Sequence, residues 1–435
     1  MINFDKSKEF FSYKLFPKGY DFYNANKFYM KQFQRLVCCK YLNASEFLIN
    51  FKKRRNMEKY NIVRQKIYIY QDYEVVVDLN NPVHRFIGNP VLTAHDVNKV
   101  WINPALQVKT VHNAGIAEYK NEIVMLFRSH LRNGISILGI ARSKDGLNNW
   151  RVESMPAMLP ASPKDNFADG VNEQAIIENE AGGIEDPRIS KLEDTYAITY
   201  SAYHAKIKDS VRVSLATTKN FKNFTRWGPV LDKDMRNVVI FPEKIAGQYV
   251  GLFRPNDDTN GDVGGIFKQI KIGYTDNWQK NSWNILEKPI IKSSSGPGAI
   301  SDKIGPGATP LKTKYGWLNI FHGVRSTMDG NPYVLTVALH ELKKPASVKV
   351  SNIPILFPSK ADCLVQDSDY VHVPNVVFTC GAIRQENGTI FIYYGGNDTV
   401  MNVGITHEDV LVEFCENYGQ DPLTGQPLYK LRSKS

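Results

Sequence analysis

The sequence predicts an all-β fold, a five-bladed β-propeller preceded by a short helical N-terminal extension. Three observations carry that expectation: alternating strand-like runs begin near Asn113, they recur in five similar units, and each unit places a polar residue at a comparable point. The runs are Ile123–Phe127, Tyr196–Tyr200, Tyr249–Phe253, Trp317–Phe321 and Ile390–Tyr394. Each has the period of two and the β-branched and aromatic content of a strand, bounded by Gly, Asn, Asp and Lys turns. Recurrence at roughly forty- to seventy-residue spacing is the mark of a radial architecture, whereas a β-sandwich does not need five similar units.

The first seventy or so residues differ from the rest, and we divide the chain into an extension, 1–75, and a propeller, 76–435. Phe33, Leu36, Val37, Tyr41, Phe47, Leu48 and Phe51 fit two short helices over Phe33–Lys59, with Ser45 capping the second. Such an extension packs on its own domain or on a partner subunit, which leaves room for a homo-oligomer. The 435 residues carry a formal charge of +10, with a basic run at Lys52–Arg55. Zinc-finger spacing, an RNA-recognition aromatic signature and a basic helix with heptads are all missing from the sequence, so a nucleic-acid partner is not expected. No run of about eighteen apolar residues argues for a membrane span. The five cysteines, Cys38, Cys39, Cys363, Cys380 and Cys415, are odd in number and lack zinc spacing. Free thiols in a reducing, cytoplasmic setting fit best. The nine histidines show no paired spacing, so no metal is expected, and no Gly-rich loop suggests a nucleotide cofactor.

The polar residues that interrupt the strand pattern follow the repeat. Unit one gives Asn113 and Arg128; unit two gives Asp186, with Tyr203 and His204 beyond its second strand; unit three gives Arg236 and Arg254. Unit four gives Lys303 and His322, and unit five gives Asn375 and Asp398. First strands of propeller blades line the central channel, so equivalent positions converge at one end of the axis. Taken singly, each of these residues reads as a solvated strand end. Lys303 alone is an ordinary turn lysine and His322 an ordinary strand histidine; only their register with the arginines lifts them.

The most specific stretch is Gly182–Ile189. Pro187 holds Asp186 out of the helical region at the strand entrance, and Arg188 is placed to brace a carboxylate. With His112–Gly115, Glu185–Arg188, Arg236 followed by Phe241–Ile245 and Arg254-Pro255, Lys303–Gly307, Trp317 followed by His322–Val324, and Tyr393–Thr399, the chain resembles glycoside hydrolase family 130 from about Asn113 to Asp398. That family comprises β-mannoside phosphorylases and hydrolytic relatives.

The resemblance implies that Asp186 is the single catalytic acid, acting through a hydroxyl of the mannosyl ring. It implies that Arg236, Arg254, Lys303, His322 and Tyr333 hold phosphate, which serves as co-substrate without a further cofactor. Asn113, Arg128, Glu185, Tyr203, His204, Asn375 and Asp398 are the candidate sugar contacts. Glu185 stands where some members carry an aromatic, and a carboxylate there can tune the acid, hold a hydroxyl or act as a second base. Phosphate is already an anionic nucleophile and needs positioning and charge neutralisation, whereas inverting hydrolysis needs a second carboxylate to activate water. The expected reaction is inverting phosphorolysis of a β-1,2- or β-1,4-mannoside to α-mannose 1-phosphate. The alternatives are a β-mannoside hydrolase, a mannosyltransferase using mannose 1-phosphate or GDP-mannose, and a carbohydrate-binding propeller without activity. Two segments, Ser162–Glu180 and Lys292–Ile300, are expected as rim loops.

Overall fold

Every one of the five alternating runs is the second strand of a blade. A computed structural model describes residues 66–70 and 73–428 apart from 208–209, 257–258, 261–264, 267–268, 294–301, 326, 328–329 and 367–368. Blade one runs in sequence order as His112–Tyr119, Glu122–His130, Ser136–Ser143 and Arg151–Val152. Blade two runs Gly183–Leu192, Thr195–Tyr203, Val211–Thr218 and Thr225–Pro229, with Asn166–Phe167 added in parallel at its outer edge. Blade three is Met235–Ile240, Tyr249–Pro255, Lys271–Thr275 and Asn284–Ile285. Blade four is Lys303–Pro306, Trp317–Val324, Tyr333–His340 and Val348–Ser351. Blade five is Val377–Arg384, Thr389–Gly396 and Val400–His407.

The ring is closed by a segment from far upstream. His84–Arg85 pairs with Val400–His407 and supplies the outer strand of blade five. Arg85 then grips the fully buried Asp362 with Nε and Nη2 at 2.7 and 2.9 Å, and Tyr394 donates to the same carboxylate at 2.7 Å. After blade five, the helix Glu408–Asn417 buries Leu411, Phe414 and Cys415, and Gly419–Gln420 returns to blade four as a further strand.

The second strands are buried along nearly their whole length, as in Glu122–His130 and Trp317–Val324. Alternation in these runs therefore does not mark an inside and an outside; blades pack against both faces. The first strand of blade one packs on those of blades two and five, and that of blade three on those of blades two and four.

Three first strands share one irregularity. In blade one, Asn113 and Ala114 oppose a single partner residue; in blade two Asp186 and Pro187 do so, and in blade three Asn237 and Val238. These are β-bulges, which re-aim a side chain out of the ladder. Asn113, Asp186 and Asn237 sit in the left-handed region with φ of 49°, 50° and 56°. Asn and Asp tolerate that conformation, yet it costs on the order of 1–3 kcal/mol each where the residue is held there. Asp186 is thus out of the right-handed helical region, as the following Pro187 leads one to expect, but it lies inside the strand and not at its entrance, and the bulge sets its direction.

The expected helices in Phe33–Lys59 lie outside the described residues. The expected boundary after residue 75 falls inside the strand Tyr73–Val77, which pairs with Lys66–Tyr70 and buries Val75 and Val77 in the core shared with blade five. The Ser162–Glu180 segment is more than a rim loop. It holds the strand Asn166–Phe167 and the helix Glu173–Glu180, capped by Asn172. Glu180 is fully buried, accepting from Arg226, Tyr200 and the Ala161 backbone. Of the second expected rim loop, residues 294–300 lie outside the described residues. Cys363, Cys380 and Cys415 are free thiols. No described helix is long and apolar enough to cross a membrane.

Candidate active site

The bulged first strand of blade two, with the turn before the third strand of blade five, delivers a carboxylate cluster built around one guanidinium. Arg128, on the second strand of blade one, donates from Nη1 to Asp186 Oδ1 at 2.9 Å and from Nη2 to Glu185 Oε1 at 2.6 Å. Ser136 Oγ donates to the same Glu185 oxygen at 2.8 Å. Asn113 Nδ2 donates to Asp186 Oδ1 at 3.1 Å and to Asp398 Oδ1 at 3.3 Å, so one amide spans two carboxyl groups from different blades. Burial opposes ionisation of Asp186, but Arg128, Arg188 and the Asn113 hydrogen bond outweigh it and hold its carboxyl below the usual carboxylate range. Asp398 goes the other way: burial, with Asp186 and Glu185 adding to it, pushes it up to about 6 against the pull of Arg128. The two carboxyls titrate as a pair whose environments drive them apart.

Blades three and four supply the opposite charge. Arg254 is buried, and its Nε has no hydrogen-bond partner. Burial, then neighbouring Arg236, lowers its pKa to about 10. Arg236 lies 5.1 Å over the Tyr203 ring, and Lys303 Nζ lies 4.7 Å over the Tyr333 ring. His322 stacks between Tyr333 and Phe378, at 6.0 and 4.6 Å, with Nδ1 buried and unpartnered. Burial, reinforced by Arg254, Arg188 and Lys303, pushes its pKa far down, so it is a neutral imidazole. Among the described residues no carboxylate pairs with Arg236, Arg254 or Lys303. Tyr203 feels the charge of both halves: burial and Glu185 push its phenol up, while Arg236 on its face pulls the other way.

Between the halves runs a buried strut. Arg188 donates to the Asp186 backbone carbonyl at 2.8 Å, to Asn237 Oδ1 at 3.0 Å, to Gly307 O at 3.0 Å and to Pro306 O at 3.2 Å. It therefore braces the backbone that carries the acid, and not the carboxylate as its position beside Asp186 suggests. Gly305 is required where it stands: a Cβ there would come within 2.6 Å of Asn237 Nδ2 and 2.7 Å of His322 Cε1. The same Cβ would meet Arg254 Cδ at 3.1 Å, so the glycine lets the strand pack directly against these side chains.

Of the residues expected from the sequence, Asn113, Arg128, Glu185, Asp186 and Asp398 form the acidic cluster, and Tyr203, Arg236, Arg254, Lys303, His322 and Tyr333 the basic one. His204 does not join them. Its Nδ1 accepts from the Lys206 and Ile207 backbones at 3.1 and 3.2 Å, a turn role. Asn375 is exposed, and what it gives is its carbonyl oxygen, to the Tyr333 N–H at 3.1 Å. Asn237, His112, His130 and His372 were not singled out by the sequence, although Asn237 directly follows Arg236 in the same bulge that shows at Asn113 and Asp186. His112, His130 and His372 lie with ring centroids 4.5 to 6.3 Å apart behind Arg128. Among the described residues, no three His, Cys, Asp or Glu side chains are grouped to hold a metal ion.

The family profile described as beta-1,4-mannooligosaccharide phosphorylase matches residues 80–417. A 1,2-beta-oligomannan phosphorylase of Thermoanaerobacter sp. is 36% identical over 62% of this chain and 78% of its own length. A beta-1,2-mannobiose phosphorylase of Listeria innocua is 30% identical over 77% of this chain and 89% of its own. A 4-O-beta-D-mannosyl-D-glucose phosphorylase of Bacteroides fragilis is 28% identical over 83% and 90%. The solved complex of the Listeria innocua beta-1,2-mannobiose phosphorylase with beta-1,2-mannobiose superposes with a TM-score of 0.61 at 26% identity, covering 77% of this chain and 99% of that one.

Proposed function

The chain belongs to glycoside hydrolase family 130, and on that premise we propose that it is an inverting β-mannoside phosphorylase releasing α-mannose 1-phosphate. The observation that carries this reading is the uncompensated charge of blades three and four: Arg236, Arg254 and Lys303 have no carboxylate partner among the described residues, and Arg254 Nε is buried with nothing to donate to. A phosphate dianion supplies what that cluster lacks, through guanidinium forks, an ammonium and the neutral donors of His322 and Tyr333.

Phosphate bonds to C1 of the mannosyl unit as the C1–O bond to the acceptor sugar breaks. The departing oxygen takes that electron pair and a proton, relayed from Asp186 through a ring hydroxyl. Before substrate and phosphate enter, Arg128 keeps Asp186 ionised, and below about pH 6 the single proton of the carboxyl pair rests on Asp398. Arrival of a dianion and exclusion of water raise the proton affinity of both carboxyls, so Asp186 gains its proton as substrate and phosphate enter. Asn113 and Asp398 are suited to the mannosyl hydroxyls.

Glu185 bears on hydrolysis. A base that activates water for inversion must face the sugar from the side opposite the acid, with the carboxyls about 6.5–9.5 Å apart. Glu185 instead shares the Arg128 guanidinium with Asp186, which favours phosphorolysis. The relatives named for β-1,2-linked substrates at 36% and 30% identity favour that linkage over β-1,4. Incubating the protein with β-1,2- and β-1,4-mannobiose, with and without phosphate, tests this. Mannose 1-phosphate formed only with phosphate is the expected outcome; free mannose released without phosphate would make the protein a hydrolase, and transfer from GDP-mannose a transferase.

A further inference from the structure

We infer that His130 is a positioning residue that fixes the Arg128 guanidinium between Asp186 and Glu185. The inference rests on the reading of Asp186 as the acid. Arg128 and His130 are two apart on one strand, so their side chains leave the same face. Arg128 Nη2, which donates to Glu185, also lies 2.9 Å from His130 Nε2. Arg128 Nε is buried without a partner. The guanidinium is therefore held only through its two terminal nitrogens, by two carboxylates on one side and an imidazole on the other.

A guanidinium has only donors, so His130 Nε2 must present its lone pair. The hydrogen then sits on Nδ1, 3.0 Å from Thr110 Oγ1, which also accepts from the His130 backbone N–H at 3.1 Å. The partners fix the tautomer. The groups facing the ring are Arg128 from its own strand, His112 from the first strand of the blade, His372 from the segment before blade five, and Asp186. Burial, Arg128 and His372 lower His130 to about 3, with Asp186 opposing, so the ring stays a neutral acceptor. His372 packs 4.5 Å from it and is itself tied to Tyr370 at 2.7 Å.

The consequence concerns the acid. Asp186 must exchange its contact with Arg128 for a proton during turnover, and Arg128 needs a second anchor while it does so. Without His130 the guanidinium turns fully onto the carboxylates and opposes protonation of Asp186. His130→Phe keeps the volume of a ring and removes the acceptor; His130→Gln offers an amide oxygen instead.

The test is steady-state phosphorolysis of β-1,2-mannobiose by wild type, His130→Phe and His130→Gln, with the phosphate KM measured for each. Expected are a loss of kcat of about tenfold or more in His130→Phe, a phosphate KM within about twofold of wild type, and recovery of most of the kcat in His130→Gln. Unchanged kcat in His130→Phe, or a loss carried equally by the phosphate KM, would overturn the inference. A second readout does not depend on activity. In the ¹⁵N-histidine NMR spectrum of the wild-type protein, with His130 assigned by its disappearance in His130→Gln, the ring should show an unprotonated Nε2 and protonated Nδ1 from about pH 5 to 8. The opposite tautomer or an imidazolium there would also overturn it. If the wild type makes no mannose 1-phosphate while the tautomer is as expected, the functional reading fails and the anchoring of Arg128 stands.

Discussion

Blades one, two and five differ from blades three and four in how they treat charge. In the former, Arg128 is shared by Asp186 and Glu185, and Asn113 bridges Asp186 and Asp398; each ionised group has a partner. In the latter, Arg254 and Lys303 act on a neutral His322, and burial together with Arg236 depresses Arg254. A folded protein has no reason of its own to bury an unpartnered guanidinium, because desolvating a charge is costly unless it is paired. The contrast is what leads us to propose that an anion from outside completes the second half.

The largest expected effect comes from breaking the balanced half. Asp186→Asn keeps the hydrogen-bonding shape but cannot carry the proton, and turnover should fall by about 10³-fold or more in both directions, read as mannose 1-phosphate formed or consumed. A compensated pair elsewhere provides the control. Arg226 and Glu180 are both buried and bonded to each other beneath blade two. Arg226→Leu should cost about 3–5 kcal/mol of stability in denaturant unfolding, by stranding Glu180, while leaving the phosphate KM of the folded fraction unchanged.

Arg254→Ala should do the reverse. Removing one charge-assisted hydrogen bond of about 1.5–3 kcal/mol raises the phosphate KM roughly tenfold to hundredfold. The empty protein should lose little stability or gain some, since an unpaired buried charge is gone. Phosphate should raise the melting temperature of the wild type and not of this variant. An unchanged phosphate requirement would remove Arg254 from the anion site.

A smaller effect separates the two carboxyls. Asp398 titrates near about 6 in the empty site, while Asp186 titrates below the usual range. Below that pH the pair carries one proton and above it none. Because kcat/KM reports the free enzyme, kcat/KM for the mannoside should fall as pH rises through about 6, and Asp398→Asn should abolish that inflection. A profile identical in the variant would separate Asp398 from the proton inventory.

Much of this was legible in the sequence, and the remainder was hidden for definite reasons. The second strands show as alternating runs because their residue types suit a pleated ladder, even though both faces are buried. The charged residues beside them show because they break that pattern. Ring closure by His84–Arg85 could not be read, since a two-residue strand more than three hundred residues from its partner leaves no local signal. Asn237, His112 and His130 stay hidden because their roles depend on register: a bulge in one strand and a same-face pairing with Arg128 in another. His204 and Asn375 stand beside motif residues but outside the two clusters: the His204 side chain caps a turn, and Asn375 is exposed.

Calorimetric titration of the wild-type protein and of Arg236→Ala/Arg254→Ala with inorganic phosphate, in the absence of sugar, bears most directly on the unbalanced half. Saturable one-site binding in the wild type, lost in the double variant, is the predicted result. Equal binding by both proteins, or none by the wild type, would contradict an anion site made of these cations.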